Sequence, residues 1–373
     1  VTAEIAILNK TAVAMAADSA VTISAGSDQH KIFDSADKLF ELTQGDPIAV
    51  MINNDMSFME APLAVLIKEY RTTAPRFTHV RNAGLHFLGY LNDFASHSPE
   101  RIKIQSLDFA LRPLIEAVSN TARSRFLDTI IDEKSGELKA EFAENPESVP
   151  DVGRAFMDAE LSRLEDILEK LDDASFVGVG PLQFTVGEQE LFSGLANEIL
   201  IAATEEQKLR ACEILRTAAI KRYVSRSSTG VIFAGFGSQE LFPTLISFEI
   251  EGVVGNRLKY TETNFVDIDR EGTRARVLPF AQREMVERFL YGLDMPLRDQ
   301  IADFCKASVP RISEELLGAL DLSEDDAEAL RLRAQEAEQG FFDGLEKDGF
   351  EAIQSTSEAE IEDMVEFMPK AEM

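Results

Sequence analysis

The chain has 373 residues, enough for one elaborated domain or two ordinary ones, and 45% are hydrophobic, so a substantial core is within reach. Its formal charge of −29 excludes the basic face that nucleic-acid binding needs, and it disfavours anionic membrane surfaces. No run of about 18 apolar residues is present, so no membrane-spanning helix is predicted.

Two short apolar runs open the chain, residues 3–8 and 12–17, separated by Asn9-Lys10-Thr11. Turn residues between such runs predict a β-hairpin. Neither run alternates strictly, as expected for strands covered on both faces. Glu4 stands where a secretion signal would carry positive charge, and Asn9-Lys10 interrupts the apolar stretch, so no signal peptide is predicted. A polar loop from Ser24 to His30 leads into Lys31-Ile32-Phe33. Lys38 to Leu42 and Ile48 to Ile52 then predict a second strand pair, turned by Gln44-Gly45-Asp46-Pro47. From Ser57 to Arg71 the spacing becomes helical, with Phe58, Leu63, Leu66, Ile67 and Tyr70 near one stripe and Pro62 in the first turns. Four strands followed by a helix predict the start of a two-layer sheet packing with helices outside.

Residues 78–228 are expected to be mostly helical. Leu85, Leu88 and Leu91 fall on one helical side, residues 101–131 and 153–172 carry further helices, and 132–152 reads as a surface loop rich in Glu, Pro, Ser and Gly. Gly178-Val179-Gly180-Pro181 breaks the pattern, and 195–226 is helical again. At Thr229 the period returns to strands: a buried run ending in Gly235 and Gly237, an alternating Leu245 to Glu251, and Arg257 to Phe265. Residues 281–305 predict a helix. Residues 311–373 hold 19 Asp/Glu against 5 Lys/Arg and read as acidic, solvated helices. The pattern from Thr356 stops without a cap, which reads as a chain partial at its carboxyl end. The expected organisation is therefore 1–77 with the first strands and helix, 78–228 mostly helical, 229–280 with later strands, and 281–373 acidic and helical.

Cys212 and Cys305 stand alone, so neither a disulfide framework nor a zinc site is predicted, and a reducing cytoplasm fits. Of the four histidines, His79 and His86 are spaced to share a helix face, but no metal-binding spacing is present. The Gly235/Gly237 pair does not predict a phosphate loop, because Pro243 and a strand follow it.

The ordered trio Thr2, Asp18 and Lys38 carries the chemistry. Thr2 opens the first strand, Asp18 closes the second, and Lys38 opens the next. A hydroxyl attacks poorly without a base, and an α-amine on the same residue supplies one. An ordinary α-amine has a pKa of about 7.7–8.0, so only a minor part is neutral near pH 7. A lysine beside it lowers that value, and an aspartate fixes the lysine.

The segment from Thr2 to Thr22 resembles the opening of proteasome β-type subunits, which are N-terminal-nucleophile hydrolases. The likeness extends over roughly residues 2–71 and, more weakly, 229–265. It implies an α+β fold, a four-layer αββα sandwich of two antiparallel sheets, here with a helical insertion, related to bacterial proteasome-like proteins. It also implies hydrolysis of a peptide or small amide through an acyl-enzyme on Thr2, with Asp18 and Lys38 in support, no cofactor or metal, and a homo-oligomer. Asn54 aligns with the family's oxyanion glycine, whose backbone N–H would be the donor. The supporting serine of the family is displaced, the nearest being Ser238 after Gly235-Phe236-Gly237. Val1 precedes Thr2, consistent with a GTG start codon whose methionine is trimmed. The alternatives are an inactive scaffold of the same fold and a small-molecule amidase.

Overall fold

The computed structural model describes residues 3–19, 21–24, 30–33, 37–131, 138–225, 227–281, 283–320 and 323–373. The chain is a mixed α/β protein with antiparallel sheets. It begins with β1 (Ala3–Asn9), β2 (Ala12–Ala17), β3 (Val21–Ser24) and β4 (His30–Phe33). Next come β5 (Leu39–Glu41), β6 (Ile48–Asn54), and the short strands β7 (Ser57–Phe58) and β8 (Ala61–Pro62). A helical stretch follows: α1 (Leu63–Thr73), α2 (Val80–His97), α3 (Glu100–Ile130), α4 (Ala140–Glu144) and α5 (Val149–Glu169). After β9 (Ser175–Phe176) come α6 (Val186–Ile199) and α7 (Glu205–Ile220), then β10 (Thr229–Gly235), β11 (Thr244–Val254), β12 (Arg257–Asp267) and β13 (Ala275–Ala281). The chain finishes with α8 (Arg283–Tyr291), α9 (Met295–Gly318), α10 (Glu324–Gly344), a π-helical segment Leu345–Glu351 and α11 (Ala352–Glu366).

These elements form two units, one of residues 1–39, 241–243 and 266–373, the other of residues 40–240 and 244–265. In the first unit, β13, β1 and β2 form a three-stranded sheet in that order, and β3 pairs with β4. The β1–β2 turn is closed by Asn9, whose Oδ1 accepts hydrogen bonds from Thr11 N and Oγ1 (both 2.8 Å) and from Ala12 N (3.1 Å). Its Nδ2 donates to Val365 O and Met368 O, both at 2.9 Å, at the end of α11. Arg276 of β13 reaches Glu358 of α11 at 2.7 Å and also pairs with Glu362. Among the described residues, Val277, Leu290, Tyr291 and Val365 form one apolar cluster against this sheet, and Ala6, Leu8 and Phe280 are also buried.

The second unit is built on a six-stranded sheet of order β5-β6-β10-β11-β12-β9. All seven residues of β10 are buried, as in a central strand. Helices α1 and α2 contribute apolar positions at helical spacing, among them Leu63, Ile67, Tyr70, Phe87 and Leu91, to one core with Val231, Phe233 and Phe248. Truncating a ring such as Phe87 to Ala costs about 3–5 kcal/mol in cores of this kind. Gly84 lets α2 approach the sheet, since a Cβ there would lie 2.9 Å from the Phe248 ring. Glu240 caps the start of α2, its Oε2 accepting from Val80 N at 3.0 Å and Gly237 N at 2.6 Å. Gly237 has no room for a side chain, because a Cβ would meet Thr78 O at 2.3 Å. The glycines after β10 thus serve backbone approach. Helices α3, α5, α6 and α7 enclose a second core around Leu111, Ile115, Leu161, Phe192 and Leu215.

Several expectations need correction. Residues 57–62 form a tight hairpin rather than the first turns of a helix, because Met59 (φ 50°) and Glu60 (φ 63°) take left-handed conformations suited to a two-residue turn. Leu85 is 37% exposed while Leu88 and Leu91 are buried, since steps of three drift around a 3.6-residue turn. His79 caps α2 in extended conformation and shares no helix face with His86, which instead meets the Tyr70 hydroxyl at 2.9 Å. Residues 140–148 contain α4 and a 3₁₀ turn rather than loop alone, and the expected helix over 195–226 breaks at 200–204. Strand β13 has no strand signature in the sequence, because Pro279 and two arginines disguise it; Pro279 sits opposite Ile5. Among the described residues, no helix is long and apolar enough to cross a membrane.

Candidate active site

The hairpin register sets Glu4 opposite Ala17, so Asp18 leaves β2 at the end of the sheet where β1 begins. Lys38 immediately precedes β5. Its Nζ donates to Asp18 Oδ1 at 2.6 Å. The lysine side chain is 2% exposed and that of the aspartate 34% exposed. An ammonium taken out of water needs a compensating anion, and the half-open aspartate supplies it while retaining contact with solvent. The structure thus brings Asp18 and Lys38 together, with Asp18 at the end of the sheet where β1 begins. Thr2 and Val1 lie outside the described residues.

Asn54 belongs to the second unit, where it ends β6 opposite Thr229 of β10. Its φ of 61° is left-handed, a region that glycine and asparagine enter most readily. Its side chain is exposed. Ser238 is an exposed turn residue whose N–H donates to Phe77 O at 2.9 Å.

A second buried charge cluster lies in the second unit, where the sequence carries no motif for it. Lys259 Nζ donates to Glu251 Oε2 (2.8 Å), Ala218 O (3.2 Å) and Tyr223 O (3.4 Å), and both charged side chains are almost fully enclosed. Burial pushes the Glu251 carboxyl up and the Lys259 ammonium down, each opposed by the other's charge. Glu249, two residues earlier in β11, is also raised by burial, against a hydrogen bond from Ser228 Oγ at 2.8 Å. The only sequence signal was the alternation of β11, which places residues 247, 249 and 251 on one face. That alternation ordinarily marks a solvent-facing side.

Cys212 is partly buried and its thiol is pushed up by burial, an environment that keeps it unreactive. Among the described residues, no group of three or more His, Cys, Asp or Glu side chains is placed to hold a metal. Comparisons with models of known protein families, with curated proteins and with solved structures found nothing that matches this chain.

Proposed function

We propose that this protein is an N-terminal threonine hydrolase that cleaves amide or peptide bonds with a proteasome-like device. The observation that carries the reading is the ion pair of Lys38 with Asp18, held at the end of the sheet where β1 begins. The reading requires a mature chain that starts at Thr2. Its neutral α-amine takes the proton of the Thr2 hydroxyl as Oγ attacks the substrate carbonyl, giving a tetrahedral intermediate. Collapse breaks the C–N bond, the α-ammonium returns the proton to the leaving amine, and an ester on Thr2 remains. Water then hydrolyses that ester with the amine again acting as base. The ammonium of Lys38 favours the neutral form of the amine, and Asp18 holds the lysine in place.

The Asn54 backbone N–H is assigned the oxyanion role, supported by a conformation that a glycine would also adopt. The same reading assigns the αββα sandwich class, supported by antiparallel sheets in both units and by α1 and α2 packing on one sheet face. A cytoplasmic homo-oligomer acting on peptides or small amides is the accompanying expectation.

The test is treatment of natively expressed protein with a peptide epoxyketone, which reacts with both the hydroxyl and the amine of an N-terminal threonine. A stable adduct mapped to Thr2, absent in Thr2→Ala, is expected, together with an intact mass that begins at Thr2. A retained Val1, or no adduct on chain that begins at Thr2, rejects the reading in favour of an inactive scaffold.

A further inference from the structure

A cavity of about 500 Å³ opens in the helical part of the second unit, away from the groups used above. One wall is a single face of α3, formed by residues 119, 122, 123 and 126. The facing wall is the first two turns of α5, and the floor is the link between α6 and α7 with Gln207. Its size lies within the range of small-molecule sites, and most of its lining is apolar, including Phe126, Met157 and Leu200.

The polar lining is selective. Two arginine residues, Arg123 and Arg154, are among the lining and no Asp or Glu is, in a chain that carries 66 Asp/Glu against 37 Lys/Arg. Gln207 is already engaged: its Oε1 accepts from Thr204 N at 3.0 Å and its Nε2 donates to Arg154 O at 3.0 Å. Arg154 holds Asp151 at 2.8 Å, but those side chains are 53% and 75% exposed. Such a pair is worth about 0–1 kcal/mol and yields readily to a better anion. Arg123 forms no hydrogen bond or ion pair among the described residues. Nearly every other arginine along α3 and α5 is paired, with Arg112 on Asp108 and Glu198 and with Arg125 and Arg163 both on Glu160. An apolar chamber whose lining residues include two solvent-exposed arginines and no acid fits a molecule with an apolar body and one anionic head that takes a guanidinium fork.

We propose that this chamber binds a small apolar monocarboxylate, its tail between α3 and α5 and its carboxylate on Arg123 and Arg154. The chemistry is shared by a free medium-chain fatty acid and by the apolar carboxyl-terminal residue of a short peptide. Binding here is independent of the Thr2 chemistry.

The test is calorimetric titration of the full chain with decanoate, decanol, decylamine and N-acetyl-leucyl-leucine. Saturable one-site binding of decanoate or the peptide acid is expected, and which of the two binds more tightly identifies the source. Decanol should bind about 10- to 100-fold more weakly than decanoate, the difference set by charge-assisted hydrogen bonds, and decylamine not detectably. Arg123→Gln, at an exposed helix position, should weaken the acid by at least about tenfold and leave decanol unchanged. Gly153→Leu is the second variant. A Cβ at Gly153 meets only the Phe126 ring, at 3.5 Å, so the helix tolerates a side chain there and a leucine occupies the chamber. Loss of all binding in Gly153→Leu with an unchanged far-ultraviolet circular dichroism spectrum supports the assignment. Decanol binding as tightly as decanoate, undiminished binding in Gly153→Leu, or no binding of either acid overturns it.

Discussion

Two lysines are buried among the described residues, one in each unit, and their surroundings differ. Lys259 is sealed: its partner Glu251 is 3% exposed, and two backbone carbonyls complete its hydrogen bonding. Lys38 is enclosed to the same degree, but Asp18 stays one-third open to water. A sealed pair is shielded from bulk water on both partners. A pair open on one side, beside the first residue of a strand, retains a face on which chemistry can occur. Burial of a charge is therefore a poor guide to function without the exposure of its counter-ion.

The comparison can be broken most forcefully at the sealed pair. Lys259→Ala leaves Glu251 buried without its cation and is expected to destabilise folding by about 3–5 kcal/mol, read by urea denaturation. If the loss is under about 1 kcal/mol, the two sites are not different in kind. Lys38→Ala should move the other observable. Asp18 can turn to solvent, so stability should fall by only about 1 kcal/mol. Amide hydrolysis, however, should fall by roughly 100- to 1,000-fold in kcat/KM, as for removal of a group that tunes a general base. Equal losses of stability and activity in Lys38→Ala would reduce it to a structural residue.

A double replacement sharpens the contrast. Lys259→Met with Glu251→Leu substitutes an apolar pair of similar volume and should recover stability to within about 1 kcal/mol of the parent, or exceed it. The smallest effect is pH-shaped. The Glu249 carboxyl is raised by burial, so it favours the folded state fully below its ordinary value of 4.5, and that contribution is lost as pH rises through the raised value. Glu249→Gln should therefore gain stability at neutral pH and gain nothing in acid. A uniform shift at all pH values would show that the carboxyl titrates normally.

Much of the sheet framework could be read in advance, for physical reasons visible in particular residues. Apolar runs flanking Asn9-Lys10-Thr11 and Gln44-Gly45-Asp46-Pro47 leave few options but hairpins, and Gly230 to Gly235 is too apolar for anything but a covered strand. Strand β13 was hidden because Pro279 and the charges of Arg274 and Arg276 mimic a loop; it is stabilised by partners far away in sequence, β1 and the α11 carboxylates. Asp18 and Lys38 each stand beside an element end, as strand order predicts, and the structure adds their ion pair. The enclosure of Glu251 and Lys259 was not legible, because alternation tells which residues share a face and not whether water reaches it. Arg123 and its chamber were invisible for a related reason: only the packing of α3 against α5 reveals that one arginine lacks the acidic neighbour that others on those helices have.

The two carbonyls that accept from Asn9 Nδ2 lie more than 350 residues further along the chain, and β1 itself is flanked by β13. On the ribosome, at about 5–20 residues per second, the opening hairpin emerges roughly tens of seconds before the segments that complete its sheet. The sheet around β1 is therefore completed only after nearly all the polypeptide has been synthesised.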